Sequence, residues 1–151
     1  MNGSIINTVR IASCFGSTQE RSLPILETVY QDGERLRDMI RDLFGSEFLQ
    51  GLKGKKVFLK PNWVRHSVHE RDEVCLRTHD NFVLGVLEVV LKQSVASVIL
   101  GDAPIQGCDW KQMHSEAFLS AIEGLITKYG TPVLVKDFRR KIFRSEEHTS
   151  E

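Results

Sequence analysis

Three short apolar runs in this chain, at 56–60, 95–100 and 133–135, each end in a polar turn, and two stretches of helical periodicity separate them. Strand, helix, strand, helix, strand is an order that few architectures can accommodate. Two parallel strands need a crossover of about a dozen residues or more, and a helix normally fills it. The order therefore predicts parallel strands joined by right-handed crossovers. The expected fold class is α/β, an open, mainly parallel sheet with flanking helices.

The local signals agree with that order. KVFLK at 56–60 is halted by Pro61, which lacks the amide that a central strand must donate. Thr78 offers a hydroxyl to cap a helix over 79–92. Phe82, Val83, Leu84, Val86, Leu87, Val89, Val90 and Leu91 cover most of that helix's circumference, which predicts burial on several sides. VASVIL at 95–100 shows little alternation, as expected of a parallel strand covered on both faces. It runs into Gly101-Asp102-Ala103-Pro104. Phe118, Leu119, Ile122, Leu125, Ile126 and Tyr129 then mark an amphipathic helix over about 113–129, closed by Gly130. The last strand, 133–135, leads into Lys136-Asp137-Phe138-Arg139-Arg140. Upstream, TVRIASC at 8–14 reads as a short strand. Helical spacing runs from Pro24 to Phe44, with either a break near Asp32-Gly33 or a long helix weakened there, and Gly45 suits its stop.

Composition enters as a set of exclusions. Lys plus Arg is 20 and Asp plus Glu is 20, so no net field favours nucleic acid or an anionic membrane. No run approaches the ~18 apolar residues of a membrane span. Cys14, Cys75 and Cys108 are odd in number and widely spaced, which fits neither a disulfide framework nor a CxxC motif. A reducing, cytoplasmic setting suits them. The chain length supplies apolar material for one core.

In a parallel sheet every strand's C-terminal end falls on one edge, where ligands of α/β proteins bind. Lys60 and Asn62, then Gly101 and Asp102, then Asp137 and Arg139 occupy those ends, and Thr78 and His79 open a helix on the same side. A cation, an amide, two carboxylates and a helix start thus share one rim, where a small-molecule ligand, in particular an anion, would sit. As catalytic candidates Lys60 would hold negative charge, with Asp102 or Asp137 as general acid or base. Asn62, Thr78, His79, Gly101 and Arg139 are the ligand-binding candidates. The blander alternative has the carboxylates capping turns while Lys60 pairs with one of them. His66, His69, Cys75, His79 and Cys108 match no zinc or iron–sulfur spacing, so no metal site is assigned. GxGxxG, GxxxxGK[ST] and GxSxG are absent as well, and no cofactor is named. A nucleophilic Cys14 is a weaker alternative to a small buried side chain there. Trp63 and Trp110 would either wall a ligand or anchor their loops.

Taken together, KVFLKPNWV, the Thr78-His79 helix start, VILGDAP and VKDFRR resemble the domain-of-unknown-function 362 family over roughly 8–143. On that resemblance Lys60, Pro61, Asn62, Thr78, His79, Gly101, Asp102 and Pro104 are the family-type positions. The resemblance implies a domain extending beyond this chain, so 1–143 would be a partial α/β domain. Some family members carry a ferredoxin-like cysteine cluster, which this chain lacks. The last eight residues, RSEEHTSE, resemble the in-frame translation of a sequencing-library adapter, which makes 144–151 a non-native or disordered tail.

Two function classes follow. The first is an enzyme acting on a small anionic or carbonyl-bearing substrate at the C-terminal edge of the sheet. The alternative is a non-catalytic module binding a small anion or cofactor, or an iron–sulfur or metal-linked redox protein whose cysteine cluster lies in the missing part. A paired carboxylate inside a deep pocket would favour the enzyme. A shallow rim whose carboxylates cap turns would favour the binder. Oligomeric state is not encoded in any of these motifs.

Overall fold

The computed structural model describes residues 28–69 and 76–139. The expected strand at 8–14, Cys14, Cys75 and the tail 144–151 lie outside the described residues. Of the two readings offered for Gly33, the break is found. Residues 28–31 close one helical turn, and Asp32 then caps a new helix, α1 (Gly33–Phe44), its Oδ1 accepting the Arg35 N–H at 3.0 Å. Gly33 is thus the first residue of a helix, where its flexibility costs little. Gly45, at φ 75°, ends α1 and leads straight into the short α2 (Ser46–Gln50). A side chain would be strained at that φ.

After a turn at 51–54 the sheet begins. β1 (Lys56–Leu59), β2 (Ser97–Asp102) and β3 (Val133–Asp137) lie in the order β1-β2-β3, all parallel. The helices α3 (Asp80–Leu91) and α4 (Glu116–Tyr129) make the two crossovers, and a 3-10 turn (Trp110–Gln112) precedes α4. α4 starts later than 113 because Ser115 caps it, its Oγ accepting the Phe118 N–H at 3.1 Å. β2 starts two residues later than the apolar run and extends through Gly101 and Asp102, because the ladder with β3 continues to Asp102↔Asp137. Val95 is buried ahead of the strand.

Thr78 does not cap α3. His79 does, its Nδ1 accepting the Asn81 N–H at 3.1 Å. The Thr78 hydroxyl is engaged elsewhere, accepting the N–H of Asn62 at 2.9 Å, and Thr78 N–H returns a bond to the Asn62 carbonyl. This long-range pairing, continued by the antiparallel bridge of Trp63 and Arg77, outcompetes the local cap.

Both crossover helices cover the same sheet face. Val83, Leu87, Val90 and Leu91 from α3 and Phe118 and Ile122 from α4 pack with Val98 and Leu100 of the central strand. That arrangement follows from the order β1-β2-β3, in which both crossovers step in the same direction. A second cluster, with Leu36, Ile40, Leu49 and Val89, fixes α1 and α2 on the outer side of α3. The expectation that the strand over 95–100 is covered on both faces is therefore not met among the described residues, where Ile99 stays exposed. Phe58, Ile99 and Leu134, paired in register across the three strands, are 55%, 38% and 54% exposed. No described helix is long and apolar enough to cross a membrane.

Candidate functional site

The C-terminal rim is assembled by the points at which the three strands stop. Pro61 ends β1 after Leu59, leaving Lys60 at the strand end, and the Lys60 Nζ lies 2.8 Å from Asp102 Oδ1. Asp102 is the last residue of β2 and points to the helix-covered face with Val98 and Leu100. Its side chain is 6% exposed, while that of Lys60 is 57% exposed. Lys60 therefore brings a wet ammonium to a dry carboxylate.

Asp102 has further partners. Its Oδ2 accepts the backbone N–H of Trp63 at 2.8 Å, and its Oδ1 accepts the N–H of Ala103 at 2.7 Å. Burial pushes the Asp102 carboxyl up, but the hydrogen bonds from Lys60, Trp63 and Ala103 outweigh it and hold the group below the usual carboxylate range. The group is an anion whose acceptor sites are committed to its own protein.

Asp137, the register partner of Asp102, is the second carboxylate on the rim. It accepts the Arg139 N–H and is gripped by the Arg139 guanidinium, with Nη2 to Oδ2 at 2.6 Å. Arg139 Nη1 then donates to the Cys108 carbonyl at 2.7 Å, tying β3 to the loop that follows β2. Two like charges on neighbouring strands are tolerated here because each has its own cation.

Gly101 lies on the opposite face. A Cβ there would meet the Lys136 carbonyl oxygen at 2.1 Å and the Phe138 ring at 2.4 Å. Its missing side chain makes room for the neighbouring strand and Phe138, which is a packing reason rather than a ligand contact. Asn62 is exposed and its backbone is paired with Thr78. His79 stacks on Tyr30 at 4.3 Å with the rings nearly parallel, beside the ion pair of Arg77 and Asp80.

One small cavity of about 110 Å³ opens on this rim, lined by Leu59, Lys60, Pro61, Thr78, Phe82, Val83, Val86 and Leu100. The structure thus brings Lys60 and Thr78 to one cavity. Asp102 sits beneath Lys60, whereas Asp137 and Arg139 are occupied with each other and with the loop at 105–108.

The tryptophans anchor. Trp63 is fully buried, with its ring centroid 6.1 Å from Trp110, 4.4 Å from His114 and 6.2 Å from Phe118. His66 and Cys108 also meet, the His66 N–H lying 3.2 Å from Cys108 Sγ and His66 Nδ1 accepting the Asp109 N–H. Among the described residues no three His, Cys, Asp or Glu side chains gather as a metal ion would require.

His114 received no role from the sequence, although Trp110, His114 and Phe118 recur at spacings of four, a signal that one apolar face holds a histidine. Both of its ring nitrogens, and Trp63 Nε1, are buried without a hydrogen-bond partner among the described residues. Burial, and then the charge of Arg77, push His114 down to about 4. It is neutral at pH 7.

No family model, curated protein or solved structure matches the chain.

Proposed function

We propose that the C-terminal rim binds a small carboxylate or similar anion with a short apolar body, and that it does so without acid–base chemistry by Asp102. The observation that carries this is the state of Asp102. A buried anion that accepts from Trp63, Ala103 and Lys60, and whose proton affinity is lowered, is a poor proton donor and a weak base. It supports Lys60 from below. Lys60 keeps further N–H donors toward solvent, an ammonium having three, and it lines an apolar cavity together with Thr78.

The cavity's size narrows the guest. At about 110 Å³ it falls below the ~300 Å³ at which pockets for drug-sized ligands begin. A short acyl chain or a small ring suits it, with the anionic head at Lys60. Asp137 caps the turn into Arg139 and Asp102 is spent on the Trp63 and Ala103 amides, which favours a binding module over an enzyme. The assignment to the domain-of-unknown-function 362 family is proposed on the four sequence motifs alone.

Titration of the full chain with acetate, butyrate, benzoate and phosphate, followed by amide chemical shifts, tests the reading. Butyrate or benzoate should shift residues around Lys60, Thr78 and Phe82, and Lys60→Ala should abolish the shifts without unfolding the protein. Equal responses in Lys60→Ala and the parent, or no response to any anion, would sink it.

A further inference from the structure

The face of the sheet away from α3 and α4, on which no helix packs among the described residues, carries the second surface of interest. Phe58, Ile99 and Leu134 stand side by side across β1, β2 and β3. Phe138 extends the row, its ring edge-on to Phe58 at 5.2 Å and covering Gly101. Three strands span about 10 Å, since neighbouring strands lie ~4.8 Å apart. That is close to the ~10 Å diameter of a helix. Parallel sheets bury both faces, and helices are what normally cover them.

The charge around the row selects the kind of helix. Strand alternation puts Lys56 and Lys136 on this face, both exposed, and Lys136 Nζ lies 5.8 Å from the centre of the Phe138 ring. The β1, β2 and β3 positions on this face are Lys56, Phe58, Ser97, Ile99, Gly101, Leu134 and Lys136, none of them an acid. Two copies of the chain packed face to face would set lysines against lysines. We propose that this face docks an amphipathic helix of a partner whose apolar stripe is bordered by Asp or Glu. The apolar row supplies the contact area and the two lysines supply orientation and selectivity.

The test uses two labelled helical peptides of about five turns, with identical leucine stripes, one bordered by Glu and the other by Lys. Fluorescence anisotropy against the full chain should show the Glu-bordered helix binding at least about tenfold tighter at low salt. The double variant Lys56→Glu/Lys136→Glu should reverse that preference. Leu134→Asp should abolish binding of both while melting within a few degrees of the parent, because Leu134 is half exposed. Failure of the Glu-bordered peptide to bind overturns the proposal, and so does equal affinity for the two. A dimer in sedimentation that Leu134→Asp converts to a monomer overturns it as well, because a second copy is then the occupant.

Discussion

Asp102 Oδ2 holds the backbone N–H of Trp63 at 2.8 Å, joining the last residue of the central strand to a residue 39 positions earlier in the chain. Through this bond the carboxylate locks the loop after β1 against the end of β2, and it brings the fully buried Trp63 into the core. Lys60 touches the same carboxylate from solvent.

The two partners should therefore respond differently to substitution. Asp102→Ala leaves a buried N–H unsatisfied and removes the loop clasp, which should cost about 3 kcal/mol. Lys60→Ala removes an ammonium more than half exposed and should cost at most about 1 kcal/mol. Denaturant melts of both variants beside the parent check this. Equal losses would mean that the Lys60 contact, and not the Trp63 bond, carries the stability.

Gly101→Ala should be among the most damaging single-methyl additions in the sheet. The new Cβ would collide with a backbone carbonyl at 2.1 Å as well as with the Phe138 ring. A ring can rotate away but a paired strand cannot, so the expected loss is about 3 kcal/mol or more. Adding Phe138→Ala should recover only part of it. Full recovery in the double variant, seen in thermal melts, would show that the ring alone sets the constraint.

His114 sets a pH dependence. Its proton affinity is lowered by burial to about 4, so the unfolded chain binds its proton more readily than the folded one. Stability should be complete above the unfolded value near 6.5 and should fall as pH drops from there toward 4. The loss is bounded by roughly 3 kcal/mol and reduced by screening, since the ring is only partly buried. His114→Phe fits the surrounding aromatic rings and should flatten the slope between pH 6.5 and 4. An unchanged slope in that variant would assign the effect to another group.

Glu88 acts in a lower window. Burial pushes its carboxyl up, but hydrogen bonds from Lys128 and Tyr129 and the charge of Arg37 outweigh this and hold it below its ordinary 4.5. It joins α3 to α4 through Lys128 at 2.8 Å and Tyr129 at 2.9 Å, and to α1 through Arg37 at 3.2 Å. Its contribution is present above pH 4.5 and is lost as pH falls below it. Glu88→Gln should cost about 1–2 kcal/mol at pH 7, a reduced figure because Lys128 and Arg37 are partly solvated. The difference between variant and parent should shrink toward pH 3. A constant difference from pH 7 to pH 3 would assign the loss to packing rather than charge.

Much of the fold was legible in the residues. Pro61, Gly45 and Gly130 stop elements by backbone chemistry that needs no distant partner, and the alternation of apolar runs with helical periods dictated parallel strands. That logic also put Lys60, Asp102 and Asp137 on one rim, because parallel strands share their C-terminal ends. Tertiary structure decided the rest. Thr78 has the chemistry of a helix cap, yet its hydroxyl serves Asn62, since a contact 16 residues away in the chain is invisible to local propensity. VASVIL carries the apolar content of a strand buried twice, but burial is a property of what packs on it. Both crossovers fall on one face, so Ile99 faces solvent. The same holds for the rim. The sequence determined which charges stand at the strand ends, and only the folded chain decided that Asp102 turns inward to the Trp63 amide while Lys60 stays in water.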